Sequence, residues 1–231
     1  MASIAIDGTY NVRSVGSSSA PWLMRSATLD GITDAGTAAL ARLGVALVVD
    51  LRENVERGVV RHSIPVLNLP IFRTPDGPPV TGTLEGIYES LISTRGPELT
   101  AAVAAIADSP GPVLVHCTAG KDRTGLVIAL TLLAAGDSEE DVIYDYTLSA
   151  IEVRLYRREL AEFALRALPL TEEEHASSLR LHLDSPATAL RHALRSLSRF
   201  GGIEPYLLRH GLTVEHFHSL RDRFAGVHDE S

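Results

Sequence analysis

The sequence has little of several things, and each shortage excludes a class of protein. A single cysteine, Cys117, occurs in 231 residues, which excludes an intramolecular disulfide framework and a metal site built from a cysteine cluster. Basic residues number 21 against 29 acidic ones, so the formal net charge is −8. A nucleic-acid binder needs a basic face. The composition therefore argues against a nucleic-acid partner, and any anionic ligand must be held by local positive groups.

Long apolar runs are also missing. The longest, LVIALTLLAAG at 126–136, is too short to cross a bilayer, and the N-terminus has no apolar segment of signal-peptide length behind a basic start. We therefore expect no stable membrane insertion and a cytoplasmic protein, with a leaderless export route left open. A lone cysteine suits such a reducing compartment. The sequence leaves the oligomeric state open.

The strand patterns that are present predict one α/β domain over residues 1–231. Two compact β-branched runs, VALVVDLR (45–52) and VLVHC (113–117), are typical of buried strands. Proline interrupts a third run, HSIPVLNLP (62–70), which indicates a short or edge strand. The order of strands and helices predicts a small, mostly parallel central sheet flanked by helices.

Helical patterns fill most of the remaining chain, and no strand pattern follows residue 139. Capping-box residues predict helix starts at Ser138 and Thr171, and Ser185 before Pro186 predicts another. A charged helical insertion at about 150–183 forms either a lid over a site or a solvated helix pair. The other predicted helices are 33–44, about 84–95, 97–109 and 123–136.

The segment HCTAGKDRTG (116–125) joins the second buried strand to an almost wholly apolar helix. Small residues let such a loop curl so that successive N–H groups point at one centre. The helix N-terminus directs its positive dipole end to the same point, and the planar fork of Arg123 suits two phosphate oxygens. We therefore predict a cradle for a phosphate dianion, formed by Thr118, Ala119, Gly120, Lys121, Asp122 and Arg123.

The same positive field favours the ionised form of Cys117, and a thiolate is a good nucleophile. We expect in-line attack of the sulfur on phosphorus, giving a cysteinyl-phosphate and an alcohol, with neither metal nor cofactor. Thr124 is expected to stabilise the thiolate through its hydroxyl. Adjacent strand residues face opposite ways, so His116 is expected to help indirectly by holding the loop from behind. An inert packing cysteine is the alternative, which the charged residues 121–123 disfavour.

The decapeptide resembles the signature loop of the cysteine-dependent protein tyrosine phosphatases, in the Gly-Lys-Asp-Arg form of the bacterial and fungal tyrosine/dual-specificity group. The resemblance implies an α/β phosphatase fold and hydrolysis of phosphotyrosine proteins, with phosphoserine, phosphothreonine and phosphoinositides as further substrate classes. Ser14 departs from the group's pattern, which usually has an acid there. Five more segments resemble the group: NVRSVG (11–16), WLMRSATLDGIT (22–33), LGVALVVDLRENVE (43–56), DYTLS (145–149) and GGIEPYLLRHGLT (201–213).

A second functional class stays open beside hydrolysis. A catalytically silent module could use the same cradle to capture a phosphorylated partner. The intact cysteine, arginine and threonine argue against it, since binding alone needs no nucleophile. In either case the expected partner is a phosphorylated protein or a phosphoinositide.

The ester leaving group needs a proton, and three carboxylates could supply it. Asp122 lies inside the loop, and related phosphatases with an acid there favour it, although it could instead only fix the loop geometry. Asp50 ends a strand at the edge where α/β sites lie, although it could instead pair with a nearby arginine. Asp76, in TPDGPP, has the position of either a mobile-loop acid or a turn residue.

Four further basic residues are candidates for supporting roles. Lys121 is expected to add positive charge at the rim of the cradle, and the resemblance links a lysine here to phosphoinositide substrates. Arg13, Arg25 and Arg52 either brace the site or lie on the surface.

Overall fold

The computed structural model describes residues 1–16 and 19–228, and a six-stranded sheet forms its centre. The four strands β3, β6, β4 and β5 are mutually parallel, and the N-terminal strands β1 and β2 extend the sheet antiparallel beside β3. The α/β class with a mostly parallel sheet is therefore confirmed, as is the edge position of β5. The strands are β1 Ala2–Ser3, β2 Arg13–Gly16, β3 Pro21–Ser26, β4 Leu47–Asp50, β5 Val66–Asn68 and β6 Val113–His116.

The sequence patterns missed the first three strands but placed the helices well. Thr171 and Glu174 form the predicted capping box, and the Ser138 hydroxyl accepts from Asp141 N. The predicted Ser185 cap is wrong, because its hydroxyl instead accepts from Ala150 N and donates to Thr147 O, both in the long helix Glu139–Arg166. The helices are α1 Asp34–Arg42, α2 Leu84–Thr94, α3 Gly96–Asp108, α4 Asp122–Ala135, α5 Glu139–Arg166, α6 Glu172–Leu183, α7 Ala187–Ser196, α8 Ile203–Arg209 and α9 Val214–His228.

Side-chain alternation along β6 sorts its residues between two cores. Val113 and Val115 face the larger core, which includes the almost fully buried helix α4, and Cys117 continues on that face. Leu114 faces the smaller core beneath α1. Because the strand period is two, His116 falls on the face opposite Cys117. Cys117, and not His116, therefore lies on the side of the sheet where α4 begins.

The predicted lid segment comprises the C-terminal half of α5 and the whole of α6, which pack against each other. Arg157 of α5 and Leu181 and His182 of α6 line a cavity that also contains Cys117, which follows β6 directly. Within residues 1–16 and 19–228, no helix has the length and apolar character that a bilayer span requires.

Candidate active site

The 117–122 loop connects the end of β6 to the first residue of α4, and its tightest point is Gly120. This glycine has φ +65°, and a Cβ atom there would lie 2.2 Å from the carbonyl oxygen of Ser26. Glycine has neither the Cβ nor the steric penalty for a positive φ. The close approach to β3 therefore requires glycine at this position.

Two buried side chains hold the loop carbonyls from beneath. Asn11 Nδ2 donates to the carbonyl oxygens of Ala119 and Gly120, at 3.0 Å each, and Arg25 Nη2 donates to Gly120 O at 2.5 Å. In a trans peptide the N–H points opposite to the C=O. Fixing these carbonyls towards β2 and β3 therefore turns the N–H groups of Gly120 and Lys121 away from those strands.

A buried carboxylate joins the arginines under the loop. Asp145 accepts from Arg13 Nε at 2.5 Å and from Arg25 Nη1 at 2.6 Å. Burial alone would raise the pKa of Asp145, but the two guanidinium groups lower it below its ordinary value. Arg13 and Arg25 therefore brace the loop and are not surface charges. Asp145 was not among the predicted site residues, although it begins the DYTLS segment of the family resemblance.

Arg123 is held as a planar fork facing the cavity. Its two terminal nitrogens reach Glu56 at 2.6 and 2.7 Å, and the guanidinium carbon lies 5.5 Å from the Phe72 ring centroid. Burial would lower the pKa of Arg123, but its electrostatic interaction with Cys117 and its ion pair with Glu56 raise it above its ordinary value. Glu56 also accepts from Thr118 Oγ1 at 2.5 Å. Glu56 was not among the predicted site residues, although it ends the DLRENVE stretch.

These groups surround one cavity of about 120 Å³, which we call the Cys117 cavity. Cys117 lies in it with 2% of its surface exposed, and apolar side chains form much of the wall. Among the described lining residues, the carboxylates are Glu56 and Asp122. The full lining is Glu56, Phe72, Pro78, Pro79, Ile87, Cys117, Thr118, Ala119, Asp122, Arg123, Arg157, Leu181 and His182.

Lys121 does not lie at the rim as predicted. Its side chain is fully buried, and Nζ donates to Asp122 Oδ1 at 2.7 Å and to the carbonyl oxygens of Leu181 and Asp184 at 2.8 Å each. Those carbonyls end α6, where a cation is favoured by the helix dipole. Lys121 therefore ties the 117–122 loop to the end of α6. All three of its N–H donors are used inside the protein.

Asp50 does not fit the role of general acid. It is 3% exposed, and both carboxylate oxygens accept from Arg52, with Nη2–Oδ2 at 2.9 Å. The register pairs Asp50 with His116 across β4 and β6, on the sheet face opposite Cys117. Asp50 therefore pairs with Arg52, which is the structural role predicted as the alternative to proton transfer. Asp76 is exposed in a turn that Thr74 Oγ1 closes onto Gly77 O.

His116 and Thr124 support the loop in different ways. His116 Nδ1 lies 3.1 Å from the carbonyl oxygen of Cys117, which is the position expected for holding the loop from behind. Burial lowers the pKa of His116, so the imidazole is neutral at neutral pH. The Thr124 hydroxyl is buried and has no hydrogen-bond partner among the described residues, so its role at the thiolate stays a prediction.

Known proteins of one enzyme family are similar to this chain. A model of the tyrosine phosphatase family matches residues 4–226. The chain is 28% identical over 205 residues to the triple specificity protein phosphatase PtpB of Mycobacterium tuberculosis, which covers 70% of this chain and 74% of that protein. It is 29% identical over 214 residues to a tyrosine-protein phosphatase of Nostoc commune, which covers 87% and 73%.

One solved structure among those with some likeness is the core catalytic domain of the PP-IP phosphatase SIW14 from S. cerevisiae. The alignment covers 72% of this chain and 99% of that one, with 16% identity and a TM-score of 0.42. The family model, by contrast, spans nearly the whole described chain. The chain therefore belongs to the tyrosine phosphatase family.

Proposed function

We propose that the protein hydrolyses phosphomonoesters through a cysteinyl-phosphate on Cys117. The observation that carries this proposal is the placement of Cys117 and Arg123 in one cavity, at the junction of a parallel strand and a helix N-terminus. The N–H groups of the loop and the guanidinium bind the phosphate oxygens. The sulfur then attacks phosphorus in line, and positioning and charge neutralisation carry most of the barrier reduction.

Asp122 is the proposed general acid. It shares the cavity with Cys117 and Arg123, and its side chain keeps 25% of its surface exposed. Glu56, the other carboxylate in the described lining, is committed to both terminal nitrogens of Arg123. Asp122 is thus the carboxyl group available to give a proton to the leaving oxygen and later to take one from the attacking water.

Phosphotyrosine is the proposed substrate, ahead of phosphoserine, phosphothreonine and phosphoinositides. Phe72, Ile87 and the prolines 78 and 79 provide apolar walls suited to an aromatic ring. A highly phosphorylated lipid headgroup needs further cations, but Lys121 is occupied by α6. Besides Arg123, the permanently charged basic residue in the described lining is Arg157.

The lid also remains a proposal. Arg157 from α5 and Leu181 and His182 from α6 contribute to the cavity wall. The His182 ring nitrogen Nε2 lies 2.8 Å from Val80 O in the loop that carries Pro78 and Pro79. Movement of α6 would therefore open the cavity on the side opposite β6, and we propose that substrate enters there.

The decisive experiment compares the wild-type protein with Cys117→Ser, with a chelator present throughout. We expect the variant to lose at least about 10³-fold in turnover of a phosphotyrosine peptide, while it still binds the peptide and unfolds at the wild-type temperature. Wild-type turnover that persists in Cys117→Ser would reject the cysteinyl-phosphate. Wild-type binding without any turnover would instead establish the silent phosphate-binding module.

A further inference from the structure

A chain of buried hydroxyl groups leads from the protein interior to Asp122. Tyr88 OH lies 2.7 Å from Asp122 Oδ1, and Tyr146 OH lies 2.8 Å from Tyr88 OH. Tyr88 comes from α2 and Tyr146 from α5, and their rings meet edge to face with centroids 6.1 Å apart. Both tyrosines are almost wholly buried, at 0% and 1% exposure. Two helices therefore converge on one carboxyl group of the Cys117 cavity.

The direction of these hydrogen bonds follows from the chemistry of the groups. A carboxylate only accepts, so Tyr88 uses its single hydroxyl proton on Asp122, and Tyr146 then donates to the Tyr88 oxygen. Burial, together with the nearby Asp122 charge, raises the pKa of both tyrosines, so both keep their protons at neutral pH. The chain is a fixed donor to Asp122 and does not itself release a proton.

Packing leaves the two tyrosines little freedom to turn away. The Tyr146 ring lies under the first turn of α4, so close that a Cβ added at Gly125 would be 3.0 Å from its Cδ2. Lys121 Nζ supplies a second donor to Asp122, and it reaches the same oxygen, Oδ1, at 2.7 Å. Neither of these two bonds uses Oδ2. One carboxylate oxygen is thus anchored in the protein, while the other is left for the cavity.

We propose that Tyr88, supported by Tyr146, is a positioning residue that holds the Asp122 carboxyl group in the orientation required for proton transfer to the leaving group. The proposal rests on the proposed function. A buried tyrosine pair shares only one hydrogen bond, so one of its two hydroxyl protons needs an acceptor outside the pair. Here that acceptor is the partly exposed acid of the Cys117 cavity. Because Tyr88 and Lys121 both donate to the same oxygen of that acid, the contacts fix the orientation of its carboxyl group.

Each group has a defined role in the two steps of the reaction. In the first step the Cys117 sulfur–phosphorus bond forms, the phosphorus–oxygen ester bond breaks, and the proton of Asp122 passes to the leaving oxygen. In the second step water attacks phosphorus, the sulfur–phosphorus bond breaks, and Asp122 takes the proton. Tyr88 keeps its own proton in both steps, and its bond to Asp122 is stronger whenever the carboxyl group is ionised.

The test is the dependence of kcat/KM on the leaving group in Tyr88→Phe. Phenyl phosphate needs a proton at its leaving oxygen, whereas 2,4-dinitrophenyl phosphate leaves readily without one. We expect roughly a tenfold loss on phenyl phosphate and less than about a twofold change on the dinitrophenyl ester, since a hydrogen bond to a charged group is removed. Tyr206→Phe is the matched control, because Tyr206 is equally buried but donates to Ile92 O away from the cavity.

Equal losses on both esters, or no loss on either, would overturn the positioning role. If Tyr88→Phe does not fold, Tyr146→Phe takes its place, with an expected selective loss of roughly threefold on phenyl phosphate; no selectivity there would overturn the proposal. Failure of the proposed function is distinguishable, because it appears as activity in Cys117→Ser or as binding without turnover in the wild-type protein, whatever the tyrosine variants do.

Discussion

Replacing Asp145 with asparagine tests whether a buried charge maintains the 117–122 loop. The substitution keeps the shape of the side chain but removes the negative charge between Arg13 and Arg25, which are 4% and 1% exposed. Both arginines keep other acceptors, since Arg13 also donates to Asn11 Oδ1 and Arg25 to Gly120 O. The perturbation is therefore the loss of a counter-charge in a network that otherwise stays hydrogen-bonded.

Removing one partner of a buried ion pair costs about 3–5 kcal/mol, and the remaining acceptors place this case at the lower end. We expect Asp145→Asn to lose about 3 kcal/mol in the free energy of unfolding at pH 7. For a chain of this length, that corresponds to a fall in Tm of about 6–12 °C. Activity on an aryl phosphate should fall as well, because Arg25 then positions Gly120 less firmly.

The pH dependence separates charge from packing. The arginines hold the pKa of Asp145 below its ordinary value in the folded protein. The contribution of the ionised Asp145 side chain to the free energy of unfolding is therefore fully present above the unfolded pKa of about 3.9. It is lost as the pH falls through the folded pKa. The stability difference between wild type and Asp145→Asn should be largest at neutral pH and shrink towards acid pH.

The assay is urea denaturation of both proteins at pH 7 and at the lowest pH where both remain folded. Glu162→Gln is the control, because it makes the same charge change on α5 but its partners Arg158 and Arg166 are more than half exposed. It should change stability by less than about 0.5 kcal/mol. A loss below about 1 kcal/mol for Asp145→Asn, or one independent of pH, would refute the reasoning.

Two further substitutions test the loop and its link to α6. Lys121→Met leaves the carbonyls of Leu181 and Asp184 without their donor, so we expect a loss of about 1–3 kcal/mol and faster hydrogen exchange in 172–184; unchanged exchange there would contradict the link. Gly120→Ala places a Cβ 2.2 Å from a backbone oxygen at φ +65°, so turnover should be abolished and Tm lowered; wild-type kinetics would refute this account.

Residues close together in the sequence were predictable because their arrangement depends on short-range geometry. The strand, the small-residue loop and the apolar helix are consecutive, so the positions of Cys117 and Arg123 at a strand–helix junction follow from local patterns. The period of two along β6 likewise separates Cys117 from His116. The capping box at Thr171 is equally local, since it joins residues three apart.

The partners of the charged residues depended on the tertiary structure. The charge pattern could not indicate that Arg25 pairs with Asp145, 120 residues away, or that Lys121 reaches the end of α6. Asp50 had the right position at a strand end, but the sheet register placed it beside His116 on the face opposite Cys117, where it pairs with Arg52. A side chain with several rotatable bonds takes whichever partner the packed helices and strands bring within about 3 Å, and that choice is made only when the whole chain has folded.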